Sequence, residues 1–314
     1  MTYTATSFSL TYTVGDEVHL LSGYDATSGI DFQYLGDAGW GLPTIERITN
    51  RGALQNGDTD IDNRFDARTV TLGFFVECDN PIDHLRYREA ISSIFIVSNQ
   101  RGVLTVTYSS TTAGITTSTS RALDVFVSGG VDFGSMDYQD YNLDFTVKLR
   151  SDTGVWRDTT QQTVLISQDV SGTPTPIPLL IPWTLGGAGI NKSTNVTNLG
   201  QVAVYPIITI IAGTAGIANL SIVNASSGKA IVFPVLNANT TYIIDLTYGK
   251  KTIVDGSGTN CISLLSTAQS SLATWCLLPR QVVPGGVNTI TCSSGATGTD
   301  ASVTIAYYKN YLGI

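Results

Sequence analysis

Histidine is nearly missing from this chain of 314 residues, which holds only His19 and His84, in unrelated segments. That excludes a zinc site built on several imidazoles, and a mixed Cys/His site would have to be assembled across long sequence separations. The four cysteines, Cys78, Cys261, Cys276 and Cys292, are widely spaced and contain no Cys-x-x-Cys pair. They read as small buried or surface residues, not as a disulfide framework or metal set. Charge is scarce as well: Asp, Glu, Lys and Arg make up 13% of the chain, and the net charge is -8. Gripping a nucleic-acid backbone requires clustered Lys and Arg that release phosphate counterions, so no nucleic-acid binding is expected. No apolar run approaches the length of about 18 residues that spans a bilayer. The stretch from Ile177 to Trp183 is short and broken by proline. The N-terminal MTYTATSFSL lacks the basic start and apolar run of a secretory signal. The expectation is a soluble protein without a membrane segment.

Catalytic signatures are missing too. There is no Gly-x-Ser-x-Gly elbow, no phosphate-binding Gly-Lys-Ser/Thr and no paired-His helix. The carboxylates Glu46, Glu77 and Glu89 fall in or beside ordinary strand and helix patterns, and Asp245 and Asp255 suit turns or strand ends. The chain is therefore read as a non-enzyme with no catalytic residues, cofactor or metal. Asp58, Asp60 and Asp62 do alternate as the first ligands of a calcium loop, but the sixth position is Asn63 instead of Gly and the twelfth is Thr69 instead of Glu. The segment is read as a solvated acidic loop.

What the chain does hold is 42% hydrophobic residues, 31 glycines and abundant Ser and Thr. Such composition gives polar but uncharged surfaces suited to packing against other subunits, and this length implies two domains. Before about residue 155, Arg68–Val76, Gly102–Tyr108, Ala122–Val127 and Tyr141–Leu149 alternate apolar and polar residues, as half-buried antiparallel strands do. One segment departs from this: Asn80-Pro81 caps a run in which Ile82, Leu85, Ile91, Ile94 and Phe95 recur near helical spacing, predicting one helix of about four or five turns on the sheet. Residues 158–194, rich in Thr, Pro and Gly, read as an extended linker between a domain at 1–157 and another at 195–314. Seven or eight short strands follow, separated by turns such as Ser227-Gly228 and Pro284-Gly285-Gly286, which predicts a β-sandwich or jelly roll.

A series of short motifs in the second domain carries a family resemblance. They are Asn198–Ile210 with its Tyr205-Pro206, Asn219–Lys229, Tyr242–Leu246, Val254-Asp-Gly, Leu278-Pro279, Pro284–Ile290 and Val303–Leu312. In the first domain, Arg68 opens a strand, Arg88 and Ile94-Phe95 lie on the helix, and Arg101-Gly-Val-Leu-Thr-Val follows. In this order they resemble the distal tail proteins (Dit) of long-tailed bacteriophages, the siphoviruses. The resemblance implies a mainly β fold: an N-terminal belt domain of sheet plus one α-helix, and a C-terminal galectin-like β-sandwich. It implies a structural virion protein of the tail tip or baseplate, made in the host cytoplasm. Its N-terminal domains would form a homo-oligomeric ring, a hexamer, joining the tail tube protein to the tail-tip hub or a tail-associated protein, with a receptor-binding protein as a possible further partner.

A second functional class is kept open. Sandwiches of this kind stack sugars on exposed aromatic rings, and the second domain offers Tyr248, Trp275, Tyr307, Tyr308 and Tyr311 for a host-surface carbohydrate-binding module. Arg86 and Arg88, flanking Tyr87, read either as inter-subunit contacts or as a solvated helix face.

Overall fold

The computed structural model describes residues 5–52, 56–96, 100–112, 115–134, 141–167, 189–295 and 300–314. The chain forms two compact units, one made of Met1–Thr159 with Tyr311–Ile314 and the other of Thr160–Asn310. Both are β-rich, and the described residues contain a single α-helix.

In the first unit, β1 (Ala5–Val14), β2 (Glu17–Leu20), β3 (Gly23–Asp25), β4 (Ile30–Ala38), β5 (Ile45–Asn50), β6 (Thr59–Phe65) and β7 (Arg68–Val76) precede helix α1 (Pro81–Ile94). Then come β8 (Gly102–Thr112), β9 (Ile115–Phe133), β10 (Leu143–Ser151) and β11 (Trp156–Asp158). The main sheet runs β2-β1-β8-β9-β10-β7-β4-β3, and β11 adds to β9. Period-2 patterning makes these strands: on β10, Leu143, Phe145, Val147 and Leu149 are buried while Asp144, Thr146, Lys148 and Arg150 are exposed. Burial of each such side chain stabilises the unit by about 1.5–3 kcal/mol. Asp25, at one end of the strand path, accepts hydrogen bonds from the Leu20 amide (3.2 Å) and His19 Nδ1 (3.0 Å) on β2 at the other end, so the sheet curls until its ends meet.

Helix α1 begins as its sequence requires. The Asn80 side chain accepts from the Ile82 and Asp83 amides at 2.9 and 3.0 Å, and Pro81 occupies the first turn, where its missing N–H costs nothing. Ile91, Ile94 and Phe95 are buried against the sheet. The buried face differs from expectation at its start: Ile82 and Leu85 are 76% and 60% exposed. His84 takes the inward position instead, its Nδ1 donating to the Tyr141 carbonyl at 2.9 Å.

Arg68, which opens β7, is buried and carries its charge into a cage of carbonyls. Its guanidinium donates to Gly154 (3.0 Å), Gly39 (2.7 Å), Gly41 (2.6 Å) and Leu312. Gly39 has φ +94°, and a Cβ there would meet the Thr69 carbonyl at 2.2 Å, so only glycine fits this bend. Through Leu312, and through Tyr311, whose ring lies 3.7 Å from the Arg121 guanidinium carbon, the last four residues belong to the first unit, not to the domain expected at 195–314.

In the second unit the strands are β12 (Gln162–Ser167), β13 (Asn191–Thr197), β14 (Ile207–Ile211), β15 (Ile217–Asn224), β16 (Lys229–Leu236), β17 (Thr241–Asp245), β18 (Thr252–Asp255), β19 (Val287–Ser293) and β20 (Ser302–Tyr307). They build two sheets, β12-β20-β14-β17-β18 and β13-β19-β15-β16, that share one core, which makes a β-sandwich. Both ends of the expected linker 158–194 are therefore strands. Val164 and Ile166 on β12 and Val196 on β13 face the core, and that burial overrides the polar composition around them. Residues 168–188 lie outside the described residues.

Three buried asparagines hold the long loop before β19. Asn224 Nδ2 donates to the Cys276 carbonyl (2.8 Å) and to Asn288 Oδ1 (3.1 Å). Asn288 accepts from the Leu278 amide (2.8 Å) and donates to the carbonyls of Leu278 (2.9 Å) and Gly286 (3.0 Å). Asn198 donates to Val202 and Leu277 carbonyls, both at 3.1 Å, and accepts from the Gly200 amide. Each replaces water for backbone groups that would otherwise be orphaned inside the sandwich.

Candidate interaction surfaces

The acidic segment is not a loop. Asp60 and Asp62 lie on β6, which pairs with β5 in a separate two-stranded hairpin, so the strand's backbone is committed to the ladder and cannot fold around an ion. Among the described residues no three His, Cys, Asp or Glu side chains form a group that could hold a metal. The carboxylates weighed for catalysis have local structural partners or face solvent. Glu46 pairs with Arg64 across the hairpin, and Glu77 and Glu89 are exposed. Asp245 is pushed up by burial, but hydrogen bonds from Thr247 and the neighbouring Lys250 hold it below the ordinary carboxylate range. Asp255 is likewise held down by Ser257 and Thr259, which close the turn after β18.

The aromatic set disperses. Trp275 is fully buried, and Tyr307 is buried with its hydroxyl donating to the Thr197 carbonyl at 2.9 Å. Tyr308 is half-buried, and Tyr311, which belongs to the first unit, is half-buried beneath Arg121 of that same unit. Tyr248 alone presents its ring, 80% exposed, beside Tyr205 (centroids 6.4 Å apart). The Lys251 ammonium sits 3.6 Å from the Tyr205 ring centre. On the helix, Arg88 is spent on the Phe133 ring, 4.7 Å away, while Arg86 is exposed next to Leu85.

Among the described residues, several exposed surfaces are apolar or hydroxylic. The β5–β6 hairpin exposes Ile45, Ile48 and Ile61, and α1 exposes Ile82 and Leu85. The far halves of β1, β8 and β9 form a three-stranded ribbon in which Ser7 pairs with Ser109 and Ser109 with Ser118. On the same face the Thr107 and Ser120 hydroxyls lie 2.8 Å apart, and those of Thr111 and Thr116 2.9 Å apart. Phe8 on the opposite face stacks with Tyr34 at a centroid distance of 5.1 Å and meets the Tyr108 ring at a tilt, 5.3 Å away. Sequence patterning found β8 but not this ribbon. The Ser/Thr-only run from Thr116 to Ser120 was its visible signal, masked because hydroxyl residues suit strands and loops alike.

No family model matches this chain, and no curated protein matches it. Solved structures do. A chain of the phage P2 baseplate in its activated conformation is similar over 96% of this chain and 98% of that one, at 9% identity and a TM-score of 0.43. The crystal structure of the SPP1 Dit (gp 19.1) protein, described as a paradigm of the hub adsorption apparatus in phages infecting Gram-positive bacteria, matches at TM-score 0.58 and 14% identity. That match covers 98% of this chain and all of the other, so this chain has the mainly β fold of a phage Dit protein.

Proposed function

We propose that this chain is a structural component of a phage tail tip, in which copies of its first unit form a ring, a hexamer, between the tail tube and the tail-tip hub. The observation that carries the reading is the fold match to SPP1 Dit over 98% of this chain, since a match of that extent constrains function more than one common β-domain would. The low charge and the exposed Ile45, Ile48, Ile61, Ile82 and Leu85 support it, because scattered polar charge is what a free surface keeps and a subunit interface sheds. In this role the chain has no catalytic step. It resides in the virion after assembly in the host cytoplasm, with the tube protein, a hub protein and a receptor-binding protein as partners.

The glycan-binding alternative now rests mainly on Tyr248, because Trp275 and Tyr307 are buried and Tyr308 and Tyr311 are half-buried. The test is the mass of the purified full chain by size-exclusion chromatography with light scattering across concentrations. A hexamer, or a concentration-dependent approach to one, is expected. A monomer at every concentration, retained on a glycan array and released by Tyr248→Ala, would replace the ring reading with the glycan one.

A further inference from the structure

The two sheets of the second unit end in β16 and β18, and one segment of chain covers both edges. The loop that supplies it runs from Gly256 to Gly286, between β18 and β19, without a strand of its own. Loops so long are uncommon in compact domains and tend to carry a function. Beside β18, the Cys261 amide donates to the Ile253 carbonyl at 2.8 Å, and the Thr259 carbonyl accepts from the Asp255 amide at 3.0 Å. Beside β16, the Ser266 amide donates to the Val232 carbonyl (2.9 Å), the Ser271 amide donates to the Ala230 carbonyl (2.7 Å), and the Val232 amide donates to Ser270 Oγ (2.9 Å). Backbone groups along a strand alternate between its two sides, so Pro234 is next in this outward row, and it has no amide to offer. Cys261, Leu264, Leu265 and Leu272 pack against the sandwich core and seat the segment there.

A bare edge recruits another strand, and proteins blunt such edges by covering them with a loop or by placing charge or proline on them. Ala230–Leu236 is apolar throughout and carries no charge, so Pro234 is its one residue of the protective kind. We infer that Thr259–Ser271 is an edge guard, which holds β16 and β18 closed against strand addition by the second unit of another copy. Without it, β16 offers the Ala230 and Val232 carbonyls and the Val232 amide as a template. A second β16 meets that template antiparallel about a two-fold axis, so a copy of the same chain is a sufficient partner. The guard segment itself has no charged residue, and its hold rests on the hydrogen bonds to the edges and on its apolar anchors. The inference stands apart from the ring reading, because it concerns which surfaces are kept from joining.

The experiment compares the mass of the full chain by light scattering across concentrations for the wild type and its variants, with circular dichroism to confirm folding. Ser266→Pro with Ser270→Ala and Ser271→Pro removes the three bonds to β16 and should reach about twice the wild-type mass or more, as two-fold pairing requires. Adding Val235→Lys to this triple variant should return it to the wild-type mass. Val235 is 59% exposed on β16, so it tolerates a charge that an added strand would have to bury or meet with its like. A triple variant that keeps the wild-type mass at every concentration overturns the guard. So does a gain in mass that Val235→Lys leaves in place, since unfolding would then be its cause. Where the triple variant loses its β-sheet spectrum, Ser270→Ala alone decides: a larger mass reversed by Val235→Lys supports the guard, and a mass equal to the wild type's up to the solubility limit overturns it. A monomeric wild type removes the ring reading and leaves this comparison in force.

Discussion

Replacing Asn288 by alanine tests whether the buried amide network holds the second unit's long loop. The Leu278 amide has Asn288 Oδ1 as its hydrogen-bond acceptor, and the Leu278 carbonyl accepts from Asn288 Nδ2. The other two partners are insured: the Gly286 carbonyl also accepts from the Asn198 amide at 2.8 Å, and Asn224 keeps the Cys276 carbonyl. The loss therefore concentrates on Leu278, where a stranded, partly buried N–H costs about 1–3 kcal/mol and the carbonyl adds a smaller amount. A total near 3 kcal/mol lowers the melting temperature of a domain of this size by about 6–12 °C. Thr289→Ala, one residue along, removes only an exposed hydroxyl contact to Asn195 and should change stability by less than about 0.5 kcal/mol. Differential scanning calorimetry of the full chain reads both. Should Asn288→Ala melt within about 2 °C of the wild type, or Thr289→Ala fall as far, the loop does not depend on the network and the reasoning is refuted.

Two further outcomes follow from buried polar groups in the first unit. Arg68→Lys keeps a positive charge but cannot reach four carbonyls with one compact ammonium, and each lost charged hydrogen bond costs about 1.5–3 kcal/mol. The first unit should melt lower and carboxypeptidase should remove Tyr311–Ile314 faster; unchanged trimming would show that Arg68 does not hold the tail. Burial raises the pKa of Asp25, but hydrogen bonds from Ser28, His19, Leu20 and Thr27 outweigh it and hold the carboxyl below its ordinary range. A depressed folded pKa means its contribution is complete above the unfolded value of about 3.9 and lost as pH falls through the folded value. Acid titration of stability below about pH 4 should be shallower in Asp25→Asn than in the wild type, and equal slopes would show that Asp25 does not contribute.

The sequence alone determined the strands whose alternation was strong. β7, β10, β15, β17, β19 and β20 were legible because apolar residues at every second position have only one way to reach a core. It also determined the helix start, since Asn80-Pro81 acts within one turn of chain, and the family likeness, since the order of motifs is a property of sequence. Several of those motif residues, Arg68, Asn198, Asn224 and Asn288, proved to be buried polar groups that hold loops, a role fixed by partners up to 244 positions away. Tertiary structure alone decided the rest. Ile82 and Leu85 satisfy helical spacing yet stay exposed, because the sheet beneath α1 meets the His84, Ile91 and Ile94 face. The polar stretches at β12 and β13 became strands because each found a partner, β20 or β19, far away in sequence. The cover over the edges of β16 and β18 was decided in the same way, since local sequence does not encode which strand edge a loop will reach.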